Sequence, residues 1–146
     1  MKNILKMKLA IVSGGFDPVH IGHLELFEKA KSMADSLYVI INSDKFLERK
    51  KGKPFMNFRE RSTIVQALKP VNMIIGSIDV DDTVCKTLKW VHGMYKQRYS
   101  EIMFCNGGDR TGGTNTPEHE LCQELGIETV YGLGKKVQSS SWLLEK

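Results

Sequence analysis

The chain has 146 residues, enough for one domain with a substantial core that needs neither disulfides nor a structural metal. Apolar residues make up 41% and charged residues 26%, a globular balance, and no apolar run approaches the roughly 20 residues of a membrane span. A formal charge of +4 favours anionic ligands but lacks the density of a dedicated nucleic-acid binder, so a phosphate-rich small molecule accounts for it.

The first residues mix Lys2, Lys6 and Lys8 with a few apolar side chains and soon meet Ser13, Gly14, Gly15 and Asp17, a poor secretory signal, and a cytoplasmic protein is expected. Leu9-Ala10-Ile11-Val12 is a short apolar run stopped by Ser13-Gly14-Gly15, the profile of a strand buried on both faces and ending in a turn. Ile21, Leu24, Phe27, Ala30 and Met33 then recur about every three residues, which predicts a helix. Residues 37–41 read as a second strand closed by Asn42-Ser43-Asp44. A helix is expected over 58–68, a strand over 72–75, a helix over 83–95 with Asp82 as its cap, and a strand over 102–105 ending in Asn106-Gly107-Gly108-Asp109. Pro117 opens a helix to Leu125, Gly126 stops it, a strand follows over 128–131, and a last helix begins in Ser139-Ser140-Ser141. The stretch 110–116, rich in Gly and Thr, reads as a mobile loop.

This alternation predicts an α/β fold: a doubly wound, Rossmann-like parallel sheet of five strands in a single domain over 1–146. Ligands in such folds sit at the carboxyl ends of strands, where both glycine turns fall. Cys85, Cys105 and Cys122 are odd in number and show no metal-site spacing, so they read as reduced structural residues. His92 and His119 lack sequence partners, and no metal-ligating set is read.

The chemistry concentrates in Ser13-Gly14-Gly15-Phe16-Asp17-Pro18-Val19-His20-Ile21-Gly22-His23. Glycines after a strand let the backbone approach a phosphate, and the following helix aims its positive end at the same place. His20 and His23, three apart, lie on one face and can donate to neighbouring oxygens of a triphosphate, while Gly22 leaves room for the nucleotide. Neither G-x-x-x-x-G-K-[ST] nor G-x-G-x-x-G is present, which disfavours a P-loop kinase or a Rossmann dehydrogenase. A second constellation, the basic run 45–53, is either a solvated charged loop or a lid that closes over a polyphosphate.

The glycine-histidine string resembles the G-x-F-D-x-x-H-x-G-H signature of the cytidylyltransferase-like nucleotidyltransferases. Asn42-Ser43-Asp44, Lys51-Gly52, Pro54 ahead of Arg61, Ile64-Val65-Gln66-Ala67-Leu68 and Gly107-Gly108-Asp109 are similar to the adenylyltransferase domain of bacterial heptose-phosphate enzymes. Glycerol-3-phosphate cytidylyltransferases are a more distant likeness. The resemblance implies His20, His23 and either Lys50 or Lys51 as catalytic residues, with Gly14, Gly15, Phe16, Asp17, Gly22, Gly108, Asp109, Ser139, Ser140 and Ser141 around the nucleotide. It implies Arg61 and Arg110 at the acceptor or its phosphate. Leu144 stands where many members carry a basic residue, and Lys135 or Lys136 could compensate.

The expected reaction transfers a nucleoside monophosphate, AMP in preference, from a triphosphate to a sugar phosphate such as heptose 1-phosphate, releasing pyrophosphate. CTP with glycerol-3-phosphate or another polyol phosphate is the alternative, and a nucleotide-binding module without catalysis is a third reading. Magnesium is expected on the triphosphate, with at most slight help from Asp17. No nucleic-acid or membrane partner is expected, and the resemblance implies pairing of two copies.

Overall fold

A computed structural model describes residues 7–107 and 116–133, together with Leu144. Five strands, β1 (Lys8–Gly14), β2 (Ser36–Ile41), β3 (Met73–Gly76), β4 (Glu101–Gly107) and β5 (Glu128–Leu133), form one sheet in the order β3-β2-β1-β4-β5. Every neighbouring pair is parallel. The chain winds outward from β1 to β3 in one direction and from β4 to β5 in the other, so the strand order reverses between β1 and β4. That crevice is where such sheets take their ligands.

Five helices cover the sheet among the described residues: α1 (Ile21–Ser32), α2 (Asp44–Lys51), α3 (Phe58–Gln66), α4 (Cys85–Tyr95) and α5 (Pro117–Leu125). Phe27 and Ala30 of α1 and Val65 of α3 pack with Ala10, Val12, Leu37, Val39, Ile41 and Met103 on one face. Val84, Leu88 and Val91 at and along α4 and Cys122 of α5 pack with Leu9, Ile11, Tyr38, Ile40 and Phe104 on the other. Successive residues of β1 therefore feed opposite cores, which is why Leu9-Ala10-Ile11-Val12 is apolar without alternation.

The described elements follow the expected order, with three informative differences. β1 runs past the apolar run, because Ser13 and Gly14 stay in register beside Ile40 and Ile41 of β2. The ladder, not side-chain apolarity, decides where that strand ends. The basic run is a helix over most of its length, not a loop. Ser43 Oγ accepts the Phe46 amide at 3.1 Å, Asp44 sits in the first turn, and Arg49, Lys50 and Lys51 occupy the last turn before Gly52 at φ 86. Opposite charges at the two ends match the helix dipole, and Leu47 is buried beneath them.

The third difference is the cap of α4. Asp82 instead faces Arg49 at 3.2 Å, and the buried Asp79 accepts the Lys86 amide at 2.7 Å and the Thr87 amide at 3.0 Å. The acidic stretch does supply the helix start, from three residues earlier than expected, because only Asp79 lies under the first turn. At the far end Pro117 and a left-handed Gly126 bound α5 as expected, and Thr116 adds a cap, its side chain accepting the His119 amide. The 110–115 loop and the helix expected from Ser139 lie outside the described residues.

Cys105 and Cys122 are buried and all three cysteines are free thiols. Burial pushes both buried thiols up to about 12, which makes them inert core residues.

Candidate active site

β1 delivers Gly14 and Gly15 to the crevice beside the end of β4. Close packing accounts for both glycines: a Cβ on Gly14 would lie 2.9 Å from the Phe16 ring, and one on Gly15 would lie 2.9 Å from Leu47 Cδ2 of α2. Phe16 turns the chain with φ 53, a conformation that costs a non-glycine residue energy and is held by the burial of its ring. That ring packs edge-on against His23 at 4.9 Å and against Phe27 at 5.3 Å.

The two histidines build the start of α1. His20 is the residue ahead of the helix, and its Nδ1 accepts the Gly22 amide at 3.1 Å. His23 Nδ1 accepts the His20 amide at the same distance, so each ring satisfies a backbone donor that the helix leaves orphaned. The rings stack at 3.8 Å between centroids and 24° between planes. A nitrogen that accepts a hydrogen bond carries no proton, so in the neutral ring the proton sits on Nε2. Both Nε2–H groups are thereby fixed as donors, side by side at the positive end of a helix. Burial, and then the neighbouring His20, pull His23 from the ordinary 6.5 down to about 3. Burial lowers His20 as well.

Asp17 and Lys51 join this turn to α2. Lys51 Nζ lies 2.7 Å from Asp17 Oδ2 and 3.0 Å from the Asp17 carbonyl oxygen. The Phe55 amide donates to Oδ2 at 2.7 Å and the Met56 amide to Oδ1 at 2.6 Å. Burial pushes the Asp17 carboxyl up, but the bonds from Lys51, Phe55 and Met56 together more than offset it, leaving Asp17 below the usual carboxylate range. Lys50 points elsewhere, its Nζ 5.6 Å from the centroid of the half-buried Phe46 ring. Of the two lysines that the sequence offers, Lys51 is the one held against the glycine turn.

The structure revises the expectation for Arg61. Its side chain is fully buried, and the guanidinium is turned to protein oxygens: Nε donates to Met56 O at 2.9 Å, Nη1 to Gly15 O at 2.9 Å and Asn42 O at 2.8 Å, and Nη2 to Asp44 Oδ1 at 2.6 Å. Four bonds use most of the five donors an arginine has. The guanidinium is thus occupied by protein oxygens and has no exposed surface to offer an acceptor. Sequence reasoning offers Asn42 and Asp44 only as part of a turn that resembles the family and misses the Met56 peptide, since bonds to backbone oxygens leave no trace in residue type; Asp44 alone takes part through its carboxylate.

Among the described residues no three His, Cys, Asp or Glu side chains gather as a metal site. Asp17, three residues before His20, has both carboxylate oxygens engaged. Gly108, Asp109, Arg110, Ser139, Ser140 and Ser141 lie outside the described residues. No helix among the described residues is long and apolar enough to cross a membrane. His119, on α5, has an ordinary structural partner in the Tyr131 hydroxyl, 2.7 Å from its Nδ1.

A parallel sheet whose strand order reverses beside a glycine turn and a paired-histidine helix start defines a nucleotide-binding α/β protein. Residues 11–123 match the cytidylyltransferase-like family, and the chain belongs to that family of nucleotidyltransferases. Curated relatives include a FAD synthase of Thermococcus sibiricus, 39% identical over 48% of this chain and 49% of the relative. A glycerol-3-phosphate cytidylyltransferase of Bacillus subtilis is 36% identical over 47% of this chain and 54% of the relative. The bifunctional protein HldE of Koribacter versatilis is 33% identical over 47% of this chain and 14% of its own length. The matches thus span about half the length of the first two and a small part of the third. A lipopolysaccharide core biosynthesis protein of Thermoplasma volcanium superposes with a TM-score of 0.67 over 88% of this chain and 98% of that one, at 20% identity, and shares the fold.

Proposed function

We propose that this protein transfers a nucleoside monophosphate, AMP in preference, from a nucleoside triphosphate to a phosphorylated small molecule such as a sugar phosphate. Pyrophosphate is the second product. The observation that carries the reading is the pair of Nδ1 acceptors on His20 and His23, which leaves the Nε2–H of each stacked ring as a donor at the start of α1.

A phosphate monoester is an anion near neutral pH, so it attacks the α-phosphorus without a serine or cysteine nucleophile. As the new P–O bond forms, the bond from the α-phosphorus to the bridging oxygen breaks, and charge flows onto pyrophosphate. The neutral imidazoles donate to the α- and β-phosphate oxygens as that charge grows, and Lys51 leaves Asp17 for the leaving group. Gly14, Gly15, Phe16 and Gly22 shape the cradle, with Asp17 supporting it through Lys51 and the 55–56 peptides. Gly108, Asp109 and Arg110 enclose the nucleoside and a phosphate, and Ser139, Ser140 and Ser141 hold the far phosphates. Magnesium enters as part of the nucleotide substrate.

The likeness of Pro54 to Leu68 and of the Gly107-Gly108-Asp109 turn to heptose-phosphate adenylyltransferases favours ATP. The glycerol-3-phosphate cytidylyltransferases of Bacillus subtilis and Staphylococcus aureus, 36% and 32% identical over about half their length, support CTP with a polyol phosphate as the second reading. Four triphosphates tested against sugar, polyol and flavin phosphates, with pyrophosphate as the readout, decide between them. Turnover with ATP and a sugar phosphate supports the first reading, and turnover with CTP and glycerol-3-phosphate replaces it with the second.

A further inference from the structure

We infer that Arg61 is a positioning residue that sets the glycine turn against helix α2, and so fixes the spacing between the histidine pair and Lys51. The inference rests on the nucleotidyl-transfer reading for its catalytic consequence and on geometry alone for its structural part.

A charged side chain with no exposed surface survives folding only if its donors are met, and here they are met by four oxygens that no single segment could provide. Gly15 O is 46 residues away in sequence, Asn42 O 19, Asp44 17 and Met56 O five. Gly15 follows the end of β1, Asn42 and Asp44 lie between β2 and the first turn of α2, and Met56 precedes α3. One planar group therefore ties together the segments that carry every described member of the phosphate site.

Two further contacts make this tie directional. The Met56 peptide is held from both sides, its amide by Asp17 Oδ1 at 2.6 Å and its carbonyl by Arg61 Nε at 2.9 Å. Leu47 of α2 fills the space where Gly15 would carry a side chain. Displacing the guanidinium thus loosens Gly15 and the start of α2 together, and Lys51 sits at the other end of that helix. A lysine in place of Arg61 keeps the charge but presents one compact head, which cannot span four oxygens on three segments.

The test is Arg61→Lys, with charge retained and folding followed by far-ultraviolet circular dichroism and thermal melting. Hydrogen exchange read by mass spectrometry is expected to speed up by about tenfold in peptides covering Gly14–Asp17 and Asn42–Asp44, while the β4 peptides stay unchanged. Unchanged exchange in both segments overturns the inference, and this readout needs no substrate. In the pyrophosphate assay the variant loses about 100-fold in kcat per folded molecule, with KM for the triphosphate moving little. Lys51→Ala on top of Arg61→Lys then costs far less than in the native background, because the lysine is already misplaced. Additive losses, or a native kcat per folded molecule, overturn it. If Arg61→Lys does not fold, Asp44→Asn removes the anion from Nη2 alone, and a loss of kcat coupled to Lys51→Ala is expected on a smaller scale; additivity there overturns the inference equally. A native protein that turns over no triphosphate while the exchange change appears contradicts the functional reading and leaves the positioning role standing.

Discussion

Lys51 Nζ lies 2.7 Å from Asp17 Oδ2, so the last turn of α2 is fastened to the chain leaving the glycine turn. The carboxylate is almost fully buried, while the lysine keeps 30% of its side chain exposed. Asp17 therefore depends on its partners more than Lys51 does. Asp17→Asn presents an amide that can accept from only one of the Phe55 and Met56 amides and cannot pair with the lysine, and it should cost about 2 kcal/mol in urea unfolding. Because the folded carboxyl titrates below 3.8, its contribution is present above that value and is lost as pH falls through the folded one. The variant should accordingly show a shallower loss of stability between pH 4 and pH 2.

The same pair separates the two lysines. Lys51→Ala should lower kcat about 100-fold by removing the cation nearest the leaving group. Lys50, exposed over Phe46, is screened by solvent, and Lys50→Ala should change kcat by less than about threefold. Steady-state kinetics on the two variants checks the order. Equal losses would show that the lysines exchange places on nucleotide binding.

Gly14→Ala tests the glycine turn. The added methyl would stand 2.9 Å from Phe16 Cζ, and the Phe16 ring bears on His23. Relief requires the ring to shift, which costs about 1–3 kcal/mol and moves His23 with it. A lower melting temperature together with a lower kcat is expected. A lower melting temperature with native kcat would uncouple the turn from the histidines.

Acid should act through the histidines. His23 falls from the ordinary 6.5 to about 3 on folding, so it is neutral in the native chain while it protonates in the unfolded one. A lowered folded value contributes stability above pH 6.5 and loses it as pH falls from there toward 3. The slope reaches at most about 1.4 kcal/mol per pH unit for this group. Urea midpoints between pH 7 and pH 4 should decline, and His23→Gln should decline less.

Local features of the site were legible in the sequence, and distant ones were not. The His20 and His23 spacing announced that the two rings meet, but they meet because His20 caps α1 from extended backbone and each Nδ1 accepts an amide, not because both stand in the first helical turn. The apolar run of β1 announced a doubly buried strand. The basic run hid its helix because the determinants are the Ser43 cap and Leu47 in the core, and neither is basic. Asp82 reads as the cap of α4 because it adjoins the helix in sequence, whereas the path of the chain brings Asp79 under the first turn. The resemblance puts Arg61 at the acceptor, and its burial was hidden because its partners are the Asp44 carboxylate and three backbone oxygens up to 46 positions away.

The proposed transfer depends on the histidine pair donating to phosphate oxygens as pyrophosphate leaves. Pyrophosphate release by the native chain and by His23→Ala, with a triphosphate and a phosphorylated acceptor at saturation, tests it most directly. Turnover by the native chain is expected to depend on both substrates and to fall by a factor of about 100 to 1,000 in the folded variant. Equal release by the two proteins would contradict it.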